Sequence, residues 1–213
     1  MIRNRRSSKS ITNGTADFRS ETSMVKLIKI TESNLQYAIS LQEAMFPGES
    51  ARLNYEDGIY GRAPYDYYLI YDDEVCVGFI GLYQYPEDNE SAWLGWFGIL
   101  EEYRKHHYGT EALKMFEDLA RSKNYKYARL YTDEADNDAA IAFYEYNGYT
   151  SEKYLNPEDP VCYKFPTLIF SKSLCDEPVP LWNNRSIHLT EQVEKQDAGQ
   201  KISDSVSDGG IHK

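Results

Sequence analysis

The most constraining part of the chain is residues 93–109, WLGWFGILEEYRKHHYG, together with the amphipathic segment that follows from Thr110. The run at 91–99 is apolar in both alternating sets, with Trp93, Gly95, Phe97 and Ile99 in one and Leu94, Trp96 and Gly98 in the other. That pattern fits a central strand covered on both faces. A turn follows that carries four adjacent basic or titratable side chains, Arg104, Lys105, His106 and His107. Beyond it, Tyr108, Ala112, Leu113, Phe116, Leu119 and Ala120 recur at helical spacing, and Glu111, Lys114, Glu117, Asp118 and Arg121 take the opposite, wet face. A strand, a basic turn and a helix start in that order make an anion-binding device. The first helical amides have no intrahelical acceptor, and the helix dipole adds roughly half a positive charge there.

The remaining segments must bury that strand on both sides. A length of 213 residues suits one well-cored domain, and 41% apolar residues with 19 Tyr, 8 Phe and 3 Trp describe a globular chain. The net charge of −11 argues against a general nucleic-acid or anionic-membrane surface, because phosphates would be repelled. No apolar run approaches the roughly 20 residues of a membrane span. Cys76, Cys162 and Cys175 are odd in number and lack metal-ligand spacing, so no metal is expected, and the thiols read as free in a reducing, cytoplasmic compartment. Neither nucleic acid nor membrane is expected as a partner, and the chain is expected as a monomer or homodimer.

Three regions are expected. Residues 1–23 read as a disordered basic extension without the apolar core of a secretory signal. Residues 24–175 read as the folded domain. Residues 176–213 read as a polar, disordered tail, with Leu181-Trp182 the one short motif able to dock back on the domain. Within the domain, strands are expected at 24–30, at 66–72 and 74–85 as a hairpin turning at Asp72-Asp73, at 91–99, and at 126–134, 149–155 and 163–171. Helices are expected at 31–46, capped by Thr31 or Ser33 and stopped by Pro47-Gly48, from Thr110, and from Asn137 to Asn147-Gly148. Residues 50–61 read as a poorer helix or loop, broken at Gly58 and Gly61. The sum is a mixed α/β domain of about seven strands and four helices, antiparallel first, with one β-α-β crossing near the middle.

Two motifs then carry a family. Arg104-x-x-His107-x-Gly109 after an apolar strand, and Asn137-x-x-Ala140-x-x-Phe143-Tyr144-x-x-x-Gly148-Tyr149, resemble the loop and later helix of the GCN5-related N-acetyltransferases, over residues 25–172 in element order. The resemblance implies a GNAT-like fold of mostly antiparallel strands, with the central strands at 91–99 and 126–134 splayed to admit acetyl-CoA. One position departs: the family's first loop glycine falls at His107, and only Gly109 is kept. Glycine there allows close approach to phosphate and left-handed backbone angles; histidine is among the less penalised side chains at such angles and can add a charge-assisted contact.

In this family the backbone amides of His106, His107, Tyr108, Gly109 and Thr110 would cradle the coenzyme A pyrophosphate, with Arg104 and Lys105 nearby. The main chain of Phe97, Gly98 and Ile99 would pair with the pantetheine arm, Gly95 and Gly98 suiting a bulge or close backbone approach. Asn137 would hold the arm directly or through water. Tyr144 would give a proton to the leaving thiolate, a phenol of pKa ~10 being reasonably matched to a thiol. The general base is unmarked: Glu90 at the start of the 91–99 run, Asp133 or Glu134 at the end of the next strand, or a relayed water. The acceptor implied is a primary amine, a small molecule being favoured by the acidic charge. The alternatives are a protein N-acetyltransferase, a non-catalytic acyl-CoA-binding or sensing domain, and a pure interaction module. One or two of Tyr60, Tyr65, Tyr67, Tyr68, Tyr71, Tyr83 and Tyr85 are expected to line an acceptor pocket, the rest to pack strands.

Overall fold

The computed structural model describes residues 24–208 apart from Asp136; the expected N-terminal extension at 1–23 and the last five residues lie outside the described residues. The elements run β1 (Val25–Lys29), α1 (Leu35–Met45), α2 (Arg52–Ile59), β2 (Tyr65–Asp72), β3 (Val75–Tyr83), β4 (Ser91–Leu94), β5 (Gly98–Ile99), α3 (Tyr108–Ser122), β6 (Tyr127–Asp133), α4 (Asp138–Tyr146), β7 (Thr150–Tyr154), β8 (Thr167–Ser173) and α5 (Leu189–Asp208). They form one mixed sheet in the order β1-β2-β3-β4-β6-β8-β7, with β5 added to β3. β4 and β6 pair in parallel across the α3 crossover; the other ladders are antiparallel.

The count is eight strands and five helices among the described residues, against seven and four expected. Both differences have a physical origin. The 91–99 run breaks in two, and the polar tail folds. The helix at 52–59 runs through Gly58 rather than breaking there, and neither Thr31 nor Ser33 caps α1; the Asn34 amide and carbonyl groups instead close the turn onto Lys29 and Thr31.

The sheet has two covered faces. On one, Ala112, Leu113, Phe116 and Ala120 of α3 and Tyr144 of α4 bury Ile70, Val77, Ile80, Leu82, Leu130 and Phe170. Glu117 departs from the wet face expected for it: it is buried, with Lys172 of β8 2.7 Å away. A carboxylate can be removed from water there because a lysine from the sheet meets it. On the other face lie α1 and α2, packed through Ala38, Ile39 and Tyr55 onto Tyr67, Leu69 and Phe79, and then the segment after Ser173.

That last segment corrects the expectation of a disordered tail, at least as far as residue 208. Trp182 is 2% exposed and meets Trp93 edge-to-face at 4.9 Å, so of the Leu181-Trp182 motif the tryptophan docks while Leu181 stays exposed. Arg129 on β6 holds the segment from beneath: its guanidinium donates to Ser91 Oγ (3.0 Å), Ser171 Oγ (2.6 Å) and the Pro180 carbonyl (2.8 Å). Asp159 then receives the start of α5, accepting from the amides of Leu189 (2.7 Å) and Thr190 (2.8 Å), from Thr190 Oγ1 (2.8 Å) and from the Tyr154 hydroxyl (2.7 Å). Burial pushes the Asp159 carboxyl up, but these donors outweigh it and hold it below the usual range. Among the described residues no helix is long and apolar enough to cross a membrane.

Two consequences are measurable. Trp182→Ala should lower stability by about 3–5 kcal/mol, seen as a fall in Tm, because it empties a fully packed indole site. Because the folded pKa of Asp159 is lowered, its contribution is complete above ~pH 4 and is lost as pH falls through the lowered value. Amide exchange in α5 should therefore accelerate on acidification before the central sheet exchanges; simultaneous loss would place α5 outside this control.

Candidate functional site

The site begins where two neighbouring strands part. The parallel ladder of β4 and β6 spans only Ser91↔Tyr127, Ala92↔Ala128 and Trp93↔Arg129. Beyond it β6 continues along β8 as far as Asp133↔Thr167. The other strand turns towards β3: the Gly95 amide donates to the Gly81 carbonyl at 2.9 Å, β5 pairs with Gly78 and Phe79, and the Leu100 amide donates to the Val77 carbonyl at 2.9 Å. From residue 95 onward one edge of this run therefore faces a wedge-shaped gap. The expected single strand with strict alternation is corrected here. Trp93 lies on the same face as Tyr83, Tyr85 and Trp182, whereas Phe97 and Ile99 pack on the α3 face. The break at 95–97 shifts the parity.

Glycines make that break possible. A Cβ on Gly95 would stand 2.8 Å from the Tyr67 hydroxyl, and one on Gly98 2.5 Å from the Met45 methyl. The chain can press against β3 and α1 only where side chains are absent.

The gap opens into a cavity of about 450 Å³. Leu94, Gly95, Trp96 and Phe97 form one wall and Leu130, Tyr131, Thr132 and Asp133 the other; Asn137 and Tyr144 of α4 stand at its inner end. Tyr65, Tyr67 and Tyr83 contribute aromatic surface, while Tyr60, Tyr68, Tyr71 and Tyr85 are not part of the wall. Among the described residues the lining includes Glu49, Asp133 and Asp197, and no Lys, Arg or His. Glu49 and Asp133 are exposed overall at the cavity rim, but partial desolvation of the carboxyl pushes Asp133 above its ordinary value and, together with the nearby Asp133, does the same to Glu49. Burial pushes the Tyr144 phenol well above its usual value, so Tyr144 holds its proton throughout the neutral range.

Not every candidate residue meets this cavity. Phe97, Asp133, Asn137 and Tyr144 line it. Glu90 and Glu134 do not: Glu90 pairs with Lys126 at 3.0 Å and Glu134 with Lys153 at 3.0 Å, both on the surface. Asn137 begins α4 without capping it, donating instead to Thr132 Oγ1 at 2.7 Å. Glu49 was not singled out from sequence. It lies in the loop after α1, and the only pointer to it is Gln42, a buried amide on the apolar side of α1. Gln42 Nε2 donates to the Glu49 carbonyl at 3.3 Å, and its Oε1 accepts from the Ala51 amide at 2.8 Å, which fixes the loop.

The basic turn sits at the outer end of the same gap. Arg104 Nε donates to the Ile99 carbonyl at 2.9 Å, tying the turn to β5. Lys105 and His107 both adopt left-handed backbone angles, each with φ 65°. His107 thus occupies the conformation that the family's glycine would supply, and its carbonyl accepts the first helical bond of α3, from Glu111, at 3.0 Å. His106 and His107 are exposed, and the amides of Gly109 and Thr110 lie in the first turn, where helix geometry offers them no intrahelical acceptor. Tyr108 is different: its ring is buried and its hydroxyl bonds Asp72, so only its main chain belongs to the turn. Gly109 brings the helix start against α4 and β5; a Cβ there would stand 3.4 Å from the Phe143 ring and 3.8 Å from Ile99. The cavity lining on this side ends at Phe97, and β5 and the turn follow it in the chain.

A helix start behind a left-handed turn, a strand edge left unpaired by β6 and a cavity at a splayed parallel pair are the features that bear on the family of this fold. The sequence profile described as the Acetyltransferase (GNAT) family matches residues 35–149, just over half of the chain, and the protein belongs to that family. Solved structures agree in fold. An acetyltransferase of the GNAT family from Staphylococcus aureus is 18% identical over 71% of this chain and 100% of its own, with a TM-score of 0.56. An aminoglycoside 6'-N-acetyltransferase complexed with coenzyme A is 16% identical over 73% and 99%, with a TM-score of 0.58. Arabidopsis thaliana NAA60 in complex with a bisubstrate analogue is 14% identical over 70% and 98%, with a TM-score of 0.55. A search of curated protein sequences returns no match.

The left-handed turn yields a prediction that separates backbone from side chain. His107→Gly should keep acetyl-CoA affinity within about threefold and leave stability equal or higher, since glycine carries no penalty at φ 65°. His107→Val should lose about 1–3 kcal/mol of stability and weaken acetyl-CoA with it. Calorimetry and thermal melts check both; loss of binding in the glycine variant would assign the phosphate contact to the imidazole.

Proposed function

We propose that the protein transfers an acetyl group from acetyl-CoA to a primary amine of a small molecule, by direct attack in a ternary complex. The observation that carries this reading is the cavity itself. It opens at the strand split, ends beside Tyr144, and presents aromatic and carboxylate groups without a basic residue. That lining suits a compact cationic amine. One protein of the same fold is an aminoglycoside 6'-N-acetyltransferase, which supports the reading.

The residues divide the work as follows. Main-chain amides of His106, His107, Tyr108, Gly109 and Thr110 hold the pyrophosphate, with Arg104 and Lys105 adding charge at the exposed turn. The free edge at Phe97, Gly98 and Ile99 aligns the pantetheine arm, and Asn137 holds it near the cavity. The amine must be neutral to attack. Asp133, in the wall, takes its proton directly or through one water; Glu90 and Glu134, bound to lysines outside the cavity, are less well placed. The amine nitrogen bonds the carbonyl carbon as the carbon–sulfur bond breaks. Tyr144 donates a hydrogen bond, and finally its proton, to the departing thiolate. Its raised pKa makes it a weaker acid than an ordinary phenol, so stabilising the thiolate by hydrogen bonding is the larger part of that role.

Turnover with an amine panel, followed by release of free coenzyme A, tests the function. Tight acetyl-CoA binding without turnover on any amine would favour a sensing domain, and turnover confined to peptide N-termini would favour a protein acceptor. Within an active enzyme, Tyr144→Phe and Asp133→Asn should each lower kcat by roughly 10²-fold, with acetyl-CoA affinity nearly unchanged. Because the Asp133 carboxyl titrates above the ordinary range, kcat should fall as pH drops through that raised value, and Asp133→Asn should remove this limb. An unaltered profile would take Asp133 out of the base role.

A further inference from the structure

One wall of the cavity belongs to a segment outside the matched family region. Gln192, Val193, Gln196 and Asp197 of α5 all line it, and their spacing of i, i+1, i+4 and i+5 places them on one helix face. The family profile ends at residue 149. The reaction's cofactor machinery therefore does not explain why a C-terminal helix reaches the acceptor cavity.

The helix is held firmly on both sides of these positions. Asp159 receives its first amides, as described above. Lys195 pairs with Asp57 of α2 at 2.5 Å, and Arg52 Nε donates to Ser203 Oγ at 3.0 Å near its far end. Gly199 lets the helix lie close to the Glu49 loop, since a Cβ there would stand 3.3 Å from Ser50 Cβ. Gln192 also ties α5 to the reacting strand: its Oε1 accepts from the Tyr131 hydroxyl at 2.7 Å while its Nε2 donates to the Tyr85 hydroxyl at 2.7 Å. Tyr131 stands two residues before Asp133. By contrast the side chains of Gln196 and Asp197 make no hydrogen bond or ion pair with the described residues; both line the cavity, Asp197 at its solvent-exposed rim. They are uncommitted polar groups on an otherwise tethered wall.

We propose that α5 is the selectivity wall of the acceptor site: Val193 and Gln196 limit the width of the acceptor, and Asp197 draws a second cationic group on it. This rests on the acetyltransferase reading only in taking the acceptor to be an amine. The attacking nitrogen is neutral and needs one proton acceptor, for which Asp133 serves. Glu49 and Asp197 remain, and no basic residue of the lining balances them. A slim acceptor with a distal ammonium satisfies that charge and can lie against Trp96. The favoured chemical class is a diamine rather than a monoamine.

The test is direct binding to the full chain loaded with coenzyme A, by calorimetry, with 1,4-diaminobutane and butylamine as probes. The diamine should bind about tenfold tighter than the monoamine, and Asp197→Asn should bring the two within about twofold. Val193→Trp should weaken both amines at least about fivefold by filling the cavity while coenzyme A affinity holds. Glu194→Gln, on the exposed face of α5, should match the unaltered protein. Equal binding of the two probes, no binding of either, or an Asp197→Asn variant that keeps the preference would overturn the proposal. If Val193→Trp also loses coenzyme A, the near-isosteric Asp197→Asn result decides alone. Binding preference without acetyl transfer would overturn the catalytic reading and leave this one standing.

Discussion

The structure depends on a parallel ladder that stops after three residue pairs. From Ser91 to Trp93, β4 is an ordinary central strand, buried on both faces and bonded to β3 and β6. At Gly95 the chain is claimed by β3 alone, and backbone groups that a continuous sheet would pair with β6 are left along an open edge. Unpaired backbone is costly when buried, so such an edge persists only where water or a ligand reaches it. The geometry of the candidate site follows from that one interruption. It sets the cavity between two strand ends, places α4 with Asn137 and Tyr144 at the inner end, and directs the run at 95–99 towards the basic turn.

The C-terminal segment is joined to this arrangement through buried polar groups rather than through apolar area alone. Arg129 sits on the last residue pair of the short ladder and binds Ser91 across it, Ser171 beside it and Pro180 above it. Burial pulls its pKa down, while Asp88 and Glu152 act in the opposite sense. Replacing one partner would leave a guanidinium desolvated without acceptors, which is far more destabilising than the net value of the bonds themselves. The same residue that closes the ladder thus fixes the approach to α5, so the cavity's outer wall and its inner strand split share one anchor.

Much of this was legible in the sequence, and the failures are specific. The amphipathic stripe of α3 and the Asn147-Gly148 stop of α4 were readable because periodicity and a left-handed glycine are local signals; Gly148 has φ 85°. The two motifs gave the family. The break at 95–97 was not legible as a break, because an apolar run looks alike whether it continues or bulges, and only Gly95 and Gly98 hinted at it. The tail was misread for a different reason. Its polar composition resembles disorder, yet Trp182, Ile187 and Leu189 are each buried and the acceptors for its amides come from Asp159, some 30 residues earlier in the chain. Long-range partners leave no periodicity to read. Glu49 was missed on the same grounds, since its position is set by Gln42 and its significance by Asp133.

The pair formed by Glu49 and Asp133 carries the remaining argument about how the site treats charge. Each carboxyl is shifted upwards, by partial desolvation in both and by mutual repulsion at Glu49. A site built only to be stable would neutralise that repulsion with a lysine or arginine, as Asp66 is served by Lys29 at 2.6 Å and Lys123 at 2.9 Å elsewhere on the sheet. The cavity wall contains no such cation. The unbalanced negative charge is a destabilising feature in the free protein and becomes a favourable one when a positive group enters. In the reaction proposed above, Asp133 is the group that takes the amine's proton, and its raised pKa suits that role.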